Sequence, residues 1–189
     1  MDAITSFDFS ILNFIQEHFR CDFLDGVCRF MGAVGNMGLI WIAFAVILLF
    51  FKKTRAAGMI ALLAMGLGYL LGDIVIKPIV QRPRPFTYDS GLNMFWGVDL
   101  ISKKPGNYSF PSGHSAAAWA FATTLLVKRR TLGLIAVLPA VLMMLSRLYL
   151  YVHFPTDVLC GALLGAASAF VMMLIFKKTR LEARISKNK

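Results

Sequence analysis

Acidic residues are scarce in this chain, and over long stretches so is charge of any kind. Against 20 Lys and Arg stand 10 Asp and Glu, leaving a formal net charge of +10. Five stretches hold no Asp, Glu, Lys or Arg: 30–51, 56–72, 109–127, 131–146 and 158–176. A membrane-crossing helix needs roughly 20 largely apolar residues, about 17–25. Runs of this kind exclude an ordinary water-soluble domain and predict an integral membrane protein. The 58% hydrophobic content and mean hydropathy of +0.67 agree.

Other shortages narrow the reading further. The three cysteines, Cys21, Cys28 and Cys160, show no zinc-type spacing. On one helix Cys21 and Cys28 would lie about 10 Å apart along the axis, beyond disulfide reach. No Gly-x-x-x-x-Gly-Lys-Ser/Thr loop is present, so nucleotide hydrolysis of that type is not indicated. The N-terminus carries Asp2 and Asp8 and no basic region before an apolar core, so no cleavable signal is expected. There is no internal repeat.

The positive charge is concentrated. Twelve of the 20 bases lie in Lys52-Lys53-Thr54-Arg55, in Lys128-Arg129-Arg130 and in the tail from Lys177 to Lys189. Each patch abuts an apolar run, as cytoplasmic loops do under the positive-inside rule. No nucleic-acid partner is expected; the bilayer itself is the partner that this pattern predicts.

The chain reads as one domain, 1–189, all-α, a helical membrane bundle with about five transmembrane helices. Spans are expected at 30–51, 56–77, 111–127, 131–151 and 155–176. Residues 1–29 form an N-terminal segment in which Phe7, Ile11, Phe14 and Ile15 share one helical face and Asp8, Gln16 and Glu17 lie elsewhere. That pattern fits an interfacial or re-entrant helix, or equally one packed on the bundle. Glycines between 26 and 38 allow a break or a separate short helix before the first span. Residues 78–110, rich in Pro, Gly and Ser, form an extracytoplasmic loop, with Phe95 and Trp96 at the lipid heads or packed over the site. Residues 177–189 form a basic cytoplasmic tail. With five spans the three basic patches fall on one side, and three polar clusters fall on the other.

Those clusters carry the chemistry. The first, Lys77-Pro-Ile-Val-Gln-Arg82-Pro-Arg84-Pro85, supplies cations on a proline-stiffened backbone. Arginine can grip two phosphate oxygens at once. Asp73 stands four residues before Lys77 and can simply pair with it. The second, Pro111-Ser112-Gly113-His114, lies where a loop enters an apolar helix. Ser112 suits an N-cap, the first-turn amides attract anions, and Gly113 permits close approach. An ordinary cap beside a chance histidine would look the same. The third is Ser146-Arg147, His153 and Asp157. A carboxylate four residues from an imidazole can hold the proton of one ring nitrogen and leave the other as a nucleophile; helix capping is the plainer role. Two histidines and one carboxylate could also meet a metal, but the surrounding arginines would repel it, so no metal or cofactor is expected.

Taken together the clusters read Lys-x6-Arg-Pro, Pro-Ser-Gly-His and Ser-Arg-x5-His-x3-Asp, in order and in spacing. This resembles the signature of the type 2 phosphatidic acid phosphatase superfamily, across residues 77–157. The resemblance implies a metal-independent phosphatase. His153 would be the nucleophile that becomes phosphohistidine, Asp157 its orienting group and His114 the acid for the leaving oxygen. Lys77, Arg84, Ser112, Gly113 and Arg147 would hold the phosphate. Arg82 and Asp73 lie outside the core signature and take no catalytic role. Soluble acid phosphatases and vanadium haloperoxidases share the signature, but neither needs a bilayer.

The membrane branch implies a lipid phosphate or diphosphate as substrate. Undecaprenyl diphosphate, converted to undecaprenyl phosphate in carrier-lipid recycling for the cell wall, is preferred. Phosphatidylglycerol phosphate and phosphatidic acid are the alternatives. The expected place is the bacterial cytoplasmic (inner) membrane, with the site facing the periplasm or exterior and the C-terminus in the cytoplasm. A phospholipid or polyprenyl-phosphate transporter is the reading of another class. It is disfavoured because the cations gather at one membrane end and no paired broken helices mark a midplane site.

Overall fold

The computed structural model describes residues 3–35, 38–88 and 106–179, all helices and connecting turns without a strand among them. In order these are α1 (Ala3–Phe19), α2 (Asp22–Val34), α3 (Leu39–Leu49) and α4 (Arg55–Tyr69). A π-helical segment (Leu70–Ile76) leads from α4 into α5 (Lys77–Val80), followed by α6 (Pro85–Tyr88). Then come α7 (Gly113–Lys128), α8 (Arg130–Tyr149) and α9 (Pro155–Lys178).

Three helical stretches are long and apolar enough to cross a membrane: 55–88, 130–149 and 155–178. The pair α2 and α3, bent by 58°, meets the same length and hydropathy only when taken together, as a broken span or a re-entrant loop. The expected continuous span over 30–51 is therefore replaced by two helices. Gly38 starts α3 with a left-handed φ of 72°, which a side chain would resist. At 11 residues, α3 is about 16 Å long, too short to cross alone. The second span also differs: helix continues past Lys77 to Val80. The loop expected over 78–110 starts later and contains α6; its residues 89–105, with Phe95 and Trp96, lie outside the described residues, as does the tail from 180.

The fifth apolar segment, α7, has 16 residues, about 24 Å. It stands at the centre, packed on α4, α8 and α9. Sheltered from lipid, it buries Ala, Ser and Thr with Phe121 and Leu125 rather than presenting a greasy exterior. Its seam with α9 is very close. A Cβ on Gly161 would lie 2.3 Å from the Ser112 carbonyl oxygen, and one on Gly165 would lie 2.1 Å from that of Ala116. Spaced four apart, these glycines form the small-residue face by which membrane helices bring their backbones together. The Ser112 N–H also donates to the Asp157 carbonyl at 3.0 Å, joining the starts of α7 and α9.

Helix α1 turns its polar residues inward. Thr5, Asp8, Leu12 and Gln16 are buried, while Phe7 and Phe14 are exposed. The two expected placements thus combine: α1 packs on the bundle through a mostly polar face and shows an apolar face outward. Gln16 donates to the Tyr149 carbonyl at 2.8 Å, and the Phe9 ring meets Phe154 edge-on at 5.1 Å.

Candidate active site

Four chain segments end at one place. α7 and α9 begin there, α8 ends there, and the π-helical segment delivers Lys77 there. A cavity of about 940 Å³ lies between them. Lys77, Arg84, Gly113, His114, Arg147 and His153 line its polar end; Ile42, Leu62, Met65 and Tyr69 of α3 and α4 line an apolar arm. The three sequence clusters, up to 80 residues apart, thus share one wall.

His153 precedes α9, and Pro155 opens that helix at a position where a missing N–H costs nothing. The ring is buried, 2% exposed. Its Nε2 lies 3.2 Å from Arg84 Nη1. A guanidinium can only donate, so Nε2 is the acceptor and the ring proton sits on Nδ1. That side faces Asp157 Oδ2 at 3.6 Å, within ion-pair range but too long for a hydrogen bond. Asp157 Oδ2 also accepts the Phe154 N–H at 2.9 Å, so one carboxylate both caps α9 and faces the imidazole. Burial pushes the His153 pKa from 6.5 down to about 4; Asp157 pulls it up and Arg84 adds to the lowering.

Arg84 is held rigidly. Its Nη1 donates to the Val152 carbonyl at 2.7 Å, Nε to the Asn107 carbonyl at 2.8 Å and Nη2 to Asn107 Oδ1 at 2.6 Å. Asn107 was not singled out by sequence reasoning; its place in a loop carries no signal of the partner 23 residues earlier. Lys77 is buried and paired with Asp73, which also lies against Gly113, where a Cβ would come within 2.8 Å of Asp73 Oδ2. Arg147 is buried and touches Ser146 Oγ at 3.2 Å and His114 Nε2 at 3.5 Å. Among the described residues it has no carboxylate partner.

Ser112 and Asp157 stand behind the wall rather than on it. Ser112 is fully buried. Its Oγ accepts from the Ser115 N–H at 3.4 Å, which is the expected N-cap, and its own N–H is already given to Asp157. In this arrangement Ser112 shapes the start of α7 and leaves Gly113 and His114 to face the cavity. Arg82 likewise does not line it. Among the described residues, no three of His, Cys, Asp and Glu are grouped to hold a metal ion.

Fixed cations around an unprotonated imidazole stabilise negative charge on a group being transferred to that nitrogen. A helical bundle in the bilayer with such a pocket, opening on an apolar arm, defines a lipid phosphatase of the membrane-embedded kind. The chain belongs to the PAP2 superfamily, whose sequence pattern matches residues 57–181. It is 33% identical over 153 residues to an undecaprenyl-diphosphatase of Sulfolobus acidocaldarius, covering 80% of this chain and 70% of that one. It spans about half the length of two longer relatives that it also matches. The crystal structure of a transmembrane PAP2-type phosphatidylglycerolphosphate phosphatase from Bacillus subtilis superposes with a TM-score of 0.71 at 28% identity, covering 94% of this chain and 88% of that one. That of Aquifex aeolicus LpxE gives 0.71 and 28%, covering 87% and 93%.

Proposed function

We propose that this phosphatase hydrolyses a phosphate ester or diphosphate of a membrane lipid through a phosphohistidine on His153, with undecaprenyl diphosphate as the preferred substrate. One observation carries the nucleophile assignment: Arg84, itself on the cavity wall, donates to Nε2, so this nitrogen is unprotonated, and its lone pair is free for phosphorus once that guanidinium hydrogen is given to a phosphoryl oxygen instead. Nε2 attacks phosphorus; an N–P bond forms and the P–O bond to the leaving group breaks. His114 gives its proton to the departing oxygen. Water then attacks phosphorus, His114 takes the water's proton, the N–P bond breaks and inorganic phosphate leaves. Lys77, Arg84 and Arg147 hold the phosphoryl oxygens, with the Gly113 backbone close by and Ser112 fixing the helix start. The apolar arm between α3 and α4 suits a lipid tail.

The diphosphate preference rests on likeness to the archaeal undecaprenyl-diphosphatase. Likeness to the Bacillus phosphatidylglycerolphosphate phosphatase supports the second reading, a monophosphate glycerolipid. The chain acts in the cytoplasmic membrane of a bacterium, its site on the outer face and its C-terminus inside; the basic patches at the opposite helix ends support this orientation.

The test is phosphate release by purified protein in excess chelator from undecaprenyl diphosphate, phosphatidylglycerol phosphate and phosphatidic acid. Turnover is expected, fastest on the diphosphate, and lost in His153→Ala. Full activity in that variant would remove the proposed nucleophile. Faster turnover of phosphatidylglycerol phosphate would replace the preferred substrate.

A further inference from the structure

The deepest charge in α1 is Asp8, fully buried and 74 residues from its ionic partner, Arg82. A buried carboxylate without partners is costly, and every oxygen here is engaged. Asp8 Oδ2 accepts from Arg82 Nη2 at 2.7 Å and from the Thr156 hydroxyl at 2.5 Å. Its Oδ1 accepts the Thr156 N–H at 3.1 Å, so α1 caps the first turn of α9. Arg82 sends its other nitrogen, Nη1, to Asp157 Oδ1 and to Thr156 Oγ1, both at 2.7 Å. Its guanidinium lies 4.0 Å over the Phe154 ring, a cation–π contact that restricts it further.

These contacts divide the Asp157 carboxylate. Oδ1 is held by Arg82, which leaves Oδ2 for the Phe154 N–H and the His153 ring. We propose that Asp8 and Arg82 are positioning residues for the hydrolysis: fixed by Asp8, Arg82 clamps Asp157 so that its other oxygen faces the nucleophile. The proposal rests on the reading of His153 as nucleophile. It extends the catalytic apparatus to α1, which lies wholly outside the family-matched stretch of 57–181. The simpler alternative is that the cluster only glues α1 to the bundle.

Charge separates the two. His153 is faced by Lys77 and Arg84, by His114 and Arg147 from α7 and α8, and by Asp157 from α9. Asp8 and Arg82 act one contact further out. Arg82 offsets part of the Asp157 charge. Without it, a proton goes more readily to Asp157 or to His153, and either event inactivates the pair. The acid limb of the rate profile then moves to higher pH. Removing the Asp8 charge leaves Arg82 wholly to Asp157, so the limb does not rise.

The experiment uses full-length protein in detergent with farnesyl diphosphate as probe, in the wild type, Asp8→Asn, Arg82→Gln and the double variant. Arg82→Gln is expected to lose about tenfold or more in kcat, with KM changed less than about twofold and the acid limb raised. The double variant brings the limb back toward the wild type while kcat stays low. An unshifted limb in Arg82→Gln, or one raised equally by Asp8→Asn, would assign the cluster to structure alone and overturn the proposal. Where Arg82→Gln does not accumulate folded, Asp8→Asn decides: a fall in kcat at constant KM supports the clamp, and unchanged kcat refutes it. His153→Ala runs alongside. Activity there would fail the nucleophile reading itself, whereas an inactive His153→Ala with an unshifted Arg82→Gln fails the clamp alone.

Discussion

Buried ahead of α9, His153 stays neutral until the pH falls to about 4, well below its ordinary 6.5. The proposed nucleophile is the unprotonated ring, so kcat/KM should have an acid limb, falling as pH drops through about 4. Stability has the matching sign. Between 6.5 and about 4 the unfolded chain binds a proton that the native ring refuses, so folding weakens as pH falls across that window. A pH series of initial rates and melting temperatures checks both. Arg147 is a buried cation without a carboxylate among the described residues, and the proposed function gives it to the phosphoryl oxygens at a cost in stability. Arg147→Met should cost about a hundredfold or more in kcat/KM yet raise the melting temperature by a few degrees; a lower melting temperature would show that the side chain is structural. At this scale the sequence was legible where residues are contiguous. Lys77, Arg84, Gly113, His114, Arg147 and His153 all reach the cavity. Asn107 and Asp8 were not legible as site residues, because their partners lie 23 and 74 residues away and only tertiary packing joins them.

Among elements, the seam between α7 and α9 is the most constrained. Gly165→Leu would drive a side chain into the Ala116 carbonyl, and that backbone cannot yield without moving α7. A loss of about 3 kcal/mol is expected, read as a drop in melting temperature together with activity, since both histidines ride on these two helix starts. Four of the five apolar runs declared single helices because lipid demands length and uniform hydropathy; the run 30–51 divides at the break that its glycines allow. Two features escaped. Hydropathy does not reveal the π-helical turn that carries Asp73 toward Gly113. Nor does amphipathicity alone say which face of α1 meets protein, since a bilayer rewards the outward Phe7 and Phe14 that water would penalise.

For the molecule as a whole, helix direction puts the site and the basic patches at opposite ends, and the proposed sidedness is tested by labelling. With Cys21, Cys28 and Cys160 replaced by Ser, Asn107→Cys should react with a membrane-impermeant maleimide added to intact cells. Arg129→Cys should react only after permeabilisation; the reverse pattern would invert the orientation. The whole-molecule scale also holds the last consequence of Asp8. The ribosome makes this carboxylate early, while Thr156, one of its partners, follows 148 residues later. Until that final helix is inserted, the acid needs water, so α1 must wait at the bilayer surface. A nascent chain stalled before Thr156 would carry Lys77, Arg84 and Arg147, all three cations that the proposed function gives to the phosphate, yet lack Asp157 and so remain catalytically silent.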